Sequence, residues 1–193
     1  MNRYRKFSDF LKARFGSPVY KLPLDVGFTC PNRDGRRSVG GCSFCNNHAF
    51  SPAAGHARLS LETQLEQGIA RMKEGRRKAE KIMAYFQPFS NTYAPPEKLL
   101  EVFQLPLNYP EVISVAAGTR PDCLGPEVVP VLEAMAQKTH FWLEIGLESS
   151  HNLTLERINR GHSFEEFLEA YRRVRAIPNL WICLHLIQGL PGE

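Results

Sequence analysis

The sequence predicts an α/β protein whose strands run parallel, in a layered sheet or a barrel. Three observations lead there. Five short β-type stretches alternate with helix-type stretches, and no two strands follow one another directly. Each crossover is long enough to hold a covering helix, as parallel pairing requires. The last two strands also carry polar side chains on one face, at Glu144, Glu148 and His185. Parallel strands of an ordinary core are apolar on both faces, so a polar face marks a functional interior.

Taken in order, residues 1–20 form a basic helical prefix in which Phe7, Phe10, Leu11 and Phe15 share one face and Gly16 and Pro18 close the helix. This prefix reads as an N-terminal lid. Tyr20 to Phe28 reads as the first strand, with Pro23 near its start and Leu24, Val26 and Phe28 on one face. A helix over 60–74 follows, N-capped by Ser60. After the basic run Arg76-Arg77-Lys78 come a strand over 81–87 and a helix over 96–104, which proline suits at its first turn. The pattern continues with a strand over 111–116, a helix over 126–137 and a strand over 140–147. Ser163 with Glu166 three residues on opens a helix to residue 176, and a strand over 180–187 ends the series.

Side-chain parity orients the last two strands. Phe141, Leu143, Ile145 and Leu147 should meet the helices, leaving Trp142, Glu144, Gly146 and Glu148 on the opposite face. In the final strand Leu180, Ile182, Leu184 and Leu186 form the apolar face, with Trp181, Cys183 and His185 opposite.

The 193 residues, 43% hydrophobic and 23% charged, suffice for one sizeable core, assigned to 21–193 behind the prefix. No apolar run reaches the roughly 20 residues of a membrane span, and no apolar signal core follows the N-terminus. A cytoplasmic protein without a membrane partner is expected. Residues 1–37 hold nine Lys/Arg against three Asp/Glu, whereas the remainder holds fifteen against seventeen. Such a basic arm beside the cysteine loop would attract a polyanion.

Of the five cysteines, Cys30, Cys42 and Cys45 crowd into one loop, which argues for metal or redox chemistry in a reducing compartment. The eleven residues after Cys30 are rich in Gly, Arg, Asn and Asp and read as an exposed excursion. Three thiolates suit an iron–sulfur cluster with one open iron, or a zinc site completed by a histidine such as His48. Cys123 and Cys183 read as packing residues, and His56 and His162 as loop residues.

Four stretches together resemble the radical S-adenosylmethionine (SAM) superfamily. Cys30-x11-Cys42-x2-Cys45, with Phe44 before the last cysteine, has a longer first gap than the commonest Cys-x3-Cys-x2-Cys spacing. That gap is shared by a smaller group and is distantly similar to that of the Elongator catalytic subunit. Tyr85-Phe-Gln-Pro-Phe-Ser-Asn-Thr-Tyr93 falls where the superfamily binds the SAM amino group, which implies Gln87, Ser90, Asn91 and Thr92 by position. Gly146-Leu-Glu-Ser-Ser, followed by Arg157-Ile-Asn-Arg160-Gly-His, resembles oxygen-independent coproporphyrinogen oxidase. That resemblance implies Glu148 on the SAM ribose and Arg160 on its carboxylate. His185-Leu-Ile-Gln-Gly-Leu-Pro-Gly-Glu193 resembles the strand-five motif along the adenine, which implies a SAM contact at His185 where the oxidases have Asp.

The resemblance implies a partial (βα)6 TIM-like barrel of the radical SAM type, truncated after strand five, with an unpaired edge. It implies a [4Fe–4S] cluster on Cys30, Cys42 and Cys45, SAM at the open iron, and an external electron donor of flavodoxin or ferredoxin type. The basic arm, Arg33, Arg36, Arg37 and the likeness of Thr119-Arg-Pro-Asp122 to the Elongator subunit lean towards tRNA and wobble-uridine modification. Thr119–Asp122 also reads simply as a helix-starting turn. The alternatives are a zinc-stabilised, non-catalytic RNA-binding module and a radical enzyme acting on a small metabolite.

Overall fold

The computed structural model describes residues 3–53, 55–75 and 78–193. Its strands are β1 (Val19–Leu24), β2 (Lys81–Phe86), β3 (Val112–Thr119), β4 (His140–Glu148) and β5 (Trp181–Leu186). They form one sheet in the order β1-β2-β3-β4-β5, with every pair parallel. A doubly wound sheet reverses its strand order at a switch point. This sheet never does, and it is an incomplete barrel.

The helices are α1 (Phe7–Phe15), α2 (Asn47–Phe50), α3 (Leu61–Glu74), α4 (Pro96–Gln104), α5 (Val129–Lys138), α6 (Asn152–Arg157) and α7 (Phe164–Arg175). The main core lies between the sheet and α3, α4, α5 and α7, and includes Leu65, Phe103, Leu132 and Phe167 from those helices. Phe86, Phe103 and Phe141 are fully buried at its centre, with successive ring centroids 5.3 Å apart. Truncating such a ring to Ala costs about 3–5 kcal/mol. Ser60 Oγ accepts from Thr63 N, and Ser163 with Glu166 closes a full capping box.

The predicted parity of β4 holds. Phe141, Leu143, Ile145 and Leu147 join the outer core, while Trp142 lies in a second cluster inside the barrel with Leu11, Met83 and Tyr85. In β5 Ile182 packs on the outer core, but Leu184 and Leu186 are exposed. β5 pairs with β4 alone, so the barrel edge lies open there among the described residues.

Several boundaries differ. The first strand ends at Leu24, although Val26 and Phe28 still pack on the core. Pro23 sits within it, tolerated because β1 is an edge strand. β3 runs three residues past the predicted Ala116, because Ala116 to Thr119 pair with β4. The short helices α2 and α6 are additions that weak periodicity did not signal. The prefix is also not beside the cysteine loop. Lys81 at the start of β2 donates to the Phe15 carbonyl, and Phe10 and Phe15 pack against Trp181 and His140 at the starts of β5 and β4. α1 therefore plugs the amino end of the barrel, opposite the loops that follow the strands. Arg76 and Arg77 lie outside the described residues.

Candidate functional site

A cavity of about 250 Å³ opens among the loops that follow the strands. Cys30, Cys42 and Cys45 line it after β1, and Gln87 after β2. Arg120 reaches it after β3, Glu148 from the end of β4 and His185 from β5. Parallel barrels assemble their sites at this end, because the loops there are free to vary while the strands stay fixed.

The cysteine loop folds back on itself. Arg33 N donates to the Cys30 carbonyl at 2.8 Å, and Gly41 N returns to the Asn32 carbonyl at 2.9 Å. Gly40 and Gly41 have φ of 80° and 84°, the left-handed region that glycine enters without strain. The loop then docks on the segment after α6: Ser43 N donates to the Ile158 carbonyl at 2.9 Å and Asn159 Nδ2 to the Gly41 carbonyl at 2.8 Å. These bonds carry Cys42 back beside Cys30, and both are buried. Among the described residues no three His, Cys, Asp or Glu groups close on a single metal ion. Cys30, Cys42 and Cys45 share the wall of one cavity, and three cysteine sulfurs of that kind suit an iron–sulfur cluster with one open iron. The side chain of His48, the fourth ligand of the zinc alternative, lies outside the described residues.

Arg160 sits at the centre of the buried polar groups. Its Nε donates to His162 Nε2 at 3.0 Å, its Nη1 approaches Cys42 Sγ at 3.5 Å, and its Nη2 donates to the Gly146 carbonyl. Glu148 Oε1 is 3.6 Å from Nη2. Burial and the neighbouring Arg160 push His162 down to about 4, so it is neutral and its Nδ1–H faces the Ser163 carbonyl. His162 lies in the loop between α6 and α7, as predicted, but it is buried there and orients Arg160. Burial pushes the Glu148 carboxyl up, with Arg160 opposing, and the residue adopts a φ of 72° as the strand ends. A Cβ at Gly146 would strike both Glu148 and Arg160, so glycine keeps this cradle open.

The residues fit a chelating amino acid and a cluster. Asn47 Nδ2 is buried in the cavity wall without a protein partner, a donor left for a ligand acceptor. Arg160 offers a charge-assisted pair to a carboxylate, and Glu148 accepts hydroxyls. The loop after β2 divides. Gln87 lines the cavity. Ser90, Asn91 and Thr92 are buried in the loop framework instead: Ser90 Oγ bonds Thr119 Oγ1 at 3.0 Å, Asn91 Nδ2 donates to the Phe86 carbonyl at 3.0 Å, and Thr92 Oγ1 to the Cys123 carbonyl at 2.7 Å.

Deeper in the barrel, Glu144 collects side chains from three other strands. Lys21 Nζ lies 2.8 Å away, Tyr85 Oη 2.6 Å and His185 Nε2 3.1 Å. Burial opposes ionisation, but bonds from His185, Lys21 and Tyr85 outweigh it and hold Glu144 down to about 2. Bonds to Cys183 and Glu144 push His185 up to about 10. The wall is therefore charged, and His185 faces Glu144. Cys123 is buried and Cys183 packs against the inner cluster.

A parallel (βα) barrel thus gathers three cysteines and a buried guanidinium–carboxylate pair around one cavity. Residues 29–193 match the family model described as Radical SAM superfamily. The chain belongs to that superfamily, whose cofactors are a [4Fe–4S] cluster and SAM. It is 40% identical over 191 residues to the uncharacterized protein YtqA of Bacillus subtilis, covering 99% of this chain and 59% of that protein. The chain thus spans under two thirds of that relative. In fold it is similar to the archaeal Methanocaldococcus infernus Elp3, with a TM-score of 0.59 and 16% identity over 91% of this chain and 39% of Elp3. It is also similar to OxsB, a cobalamin-dependent radical SAM enzyme solved with SAM bound, with a TM-score of 0.58 and 20% identity over 91% of this chain and 24% of OxsB. Among the described residues no helix is long and apolar enough to cross a membrane.

Proposed function

We propose that the protein is a cytoplasmic radical SAM enzyme that acts on tRNA, with wobble uridine as its target, and takes electrons from a flavodoxin- or ferredoxin-type donor. The observation that carries the enzymatic reading is the common cavity of Cys30, Cys42, Cys45, Arg160 and Glu148. The chemistry supplied by the bound cofactors is reductive cleavage of SAM to methionine and a 5′-deoxyadenosyl radical, which takes a hydrogen atom from the substrate. The chain itself binds and orients. Cys30, Cys42 and Cys45 would hold the cluster, Arg160 the methionyl carboxylate and Glu148 the ribose hydroxyls. Gln87 and Asn47 Nδ2 line the same wall. α1 closes the far end of the barrel against water, which protects reactive intermediates.

The tRNA reading draws on the rim. Arg33 lies over the Phe89 ring at 5.9 Å and Arg36 over Tyr93 at 5.7 Å, a pairing of charge and stacking surface that suits phosphates and unstacked bases. Arg37 contributes less, being ion-paired to Glu166 at 2.7 Å. The test is 5′-deoxyadenosine formation by the anaerobically reconstituted full-length protein, with and without unmodified tRNA, alongside tRNA binding over a salt series. Stimulated turnover and a slope that falls when Arg33 and Arg36 are neutralised support the reading. Turnover indifferent to tRNA points to a small metabolite.

A further inference from the structure

The Thr119-Arg120-Pro121-Asp122 stretch folds into a clamp with no part in the reading above. Arg120 is 2% exposed. Its Nε donates to Asp122 Oδ1 at 2.9 Å and its Nη2 to Asp122 Oδ2 at 3.0 Å. The 3-10 turn Pro121–Cys123 holds Asp122 back against Arg120. With that edge of the guanidinium fixed, Nη1 is left 3.9 Å from Cys42 Sγ. Arg160 Nη1 and Asn32 Nδ2 each approach the same sulfur at 3.5 Å. One sulfur therefore faces three N–H donors, two of them on buried guanidinium groups.

We propose that Arg120, held by Asp122, is a positioning residue that sets the reduction potential of the iron–sulfur cluster through the Cys42 sulfur. The proposal rests on the reading of Cys42 as a cluster ligand. Reduction adds a negative charge to the cluster, and a buried positive group aimed at a ligand sulfur favours the reduced form. Hydrogen bonds to the sulfurs and local charge are the levers by which proteins tune such clusters. Turn formation alone does not account for the clamp. Asp122 engages the guanidinium with both oxygens, and a buried ion pair is no more stabilising than apolar side chains of the same volume. Arg120 turns its free Nη1 towards Cys42, while Asp122 Oδ2 also meets Arg37 Nε at 3.7 Å.

The experiment uses full-length protein reconstituted without oxygen, with iron counted per chain and the midpoint potential read by a redox titration followed by electron paramagnetic resonance. Arg120→Gln should keep four irons yet be reduced about tenfold less readily, which for one electron is a shift of 59 mV to more negative potential. Asp122→Asn, which removes the negative charge, should shift it the opposite way, and Arg120→Lys should stay nearer the wild type. Arg120→Gln at the wild-type potential, or both variants moving in one direction, would overturn the proposal. Should Arg120→Gln lose iron, the sign of the Asp122→Asn shift decides: a more positive potential supports the charge role, and any other result makes the clamp structural. Wild-type protein that takes up no iron would overturn both this proposal and the cluster assignment beneath it.

Discussion

His185 and Glu144 meet across adjacent strands of the barrel wall, the imidazole Nε2 standing 3.1 Å from the carboxylate Oε2. Bonds to Cys183 and Glu144 raise His185 from 6.5 to about 10, while Glu144 is lowered from 4.5 to about 2. A raised histidine stabilises the fold fully below its unfolded value and loses that contribution as pH climbs through the folded one. The lowered carboxylate does the reverse, contributing above 4.5 and failing as pH falls through about 2. Stability from this pair should therefore be greatest between 4.5 and 6.5 and decline towards pH 10. Urea midpoints measured across that range should show the alkaline decline in wild type and lose it in His185→Gln; a decline that persists in the variant belongs to other groups.

His162 is held neutral so that its Nε2 can accept from Arg160. Replacing it with Leu leaves a buried guanidinium N–H without an acceptor, a loss of about 1–3 kcal/mol or more for a charged group. SAM affinity in His162→Leu should fall about tenfold or more, with the iron content unchanged, and His162→Gln should recover most of it. Equal binding by wild type and His162→Leu would show that Arg160 needs no orienting partner.

Gly146 leaves room for Glu148 and Arg160 where a Cβ would collide with both. Gly146→Ala is expected to cost about 1–3 kcal/mol of stability through overpacking and to weaken SAM binding, again without loss of iron. Calorimetric melting and equilibrium binding, taken together, separate the two effects. Unchanged values in both would mean that the cradle yields at no cost.

Each of Cys30→Ala, Cys42→Ala and Cys45→Ala should abolish cluster assembly and SAM cleavage together. Cys123→Ala should retain both, since burial pushes that thiol up to about 12 and keeps it protonated and inert. Iron analysis after reconstitution is the check. A full complement of iron in any of the first three variants would remove that cysteine from the ligand set.

The sequence by itself determined what depends on neighbours in the chain. Strand and helix alternation, the inward parity of Glu144, Glu148 and His185, and the caps at Ser60 and Ser163 are products of local spacing and turn chemistry. The four family stretches likewise carry their signal in contiguous residues, and the match over 29–193 agrees with them. The tertiary structure alone decided what long-range contacts impose. Lys21 reaches Glu144 across 123 positions, Arg160 reaches Cys42 across 118 and Arg120 across 78. Arg120 and His162 look like turn and loop residues until folding removes water from around them. Ser90, Asn91 and Thr92 occupy the stretch where SAM contacts were expected, yet their polar atoms bond the loop framework. The basic prefix went to the amino end of the barrel because Leu11 buries in the inner cluster and Phe7 and Phe10 pack on Trp142 and Trp181, and apolar contact outweighs the attraction of exposed charge for a distant site.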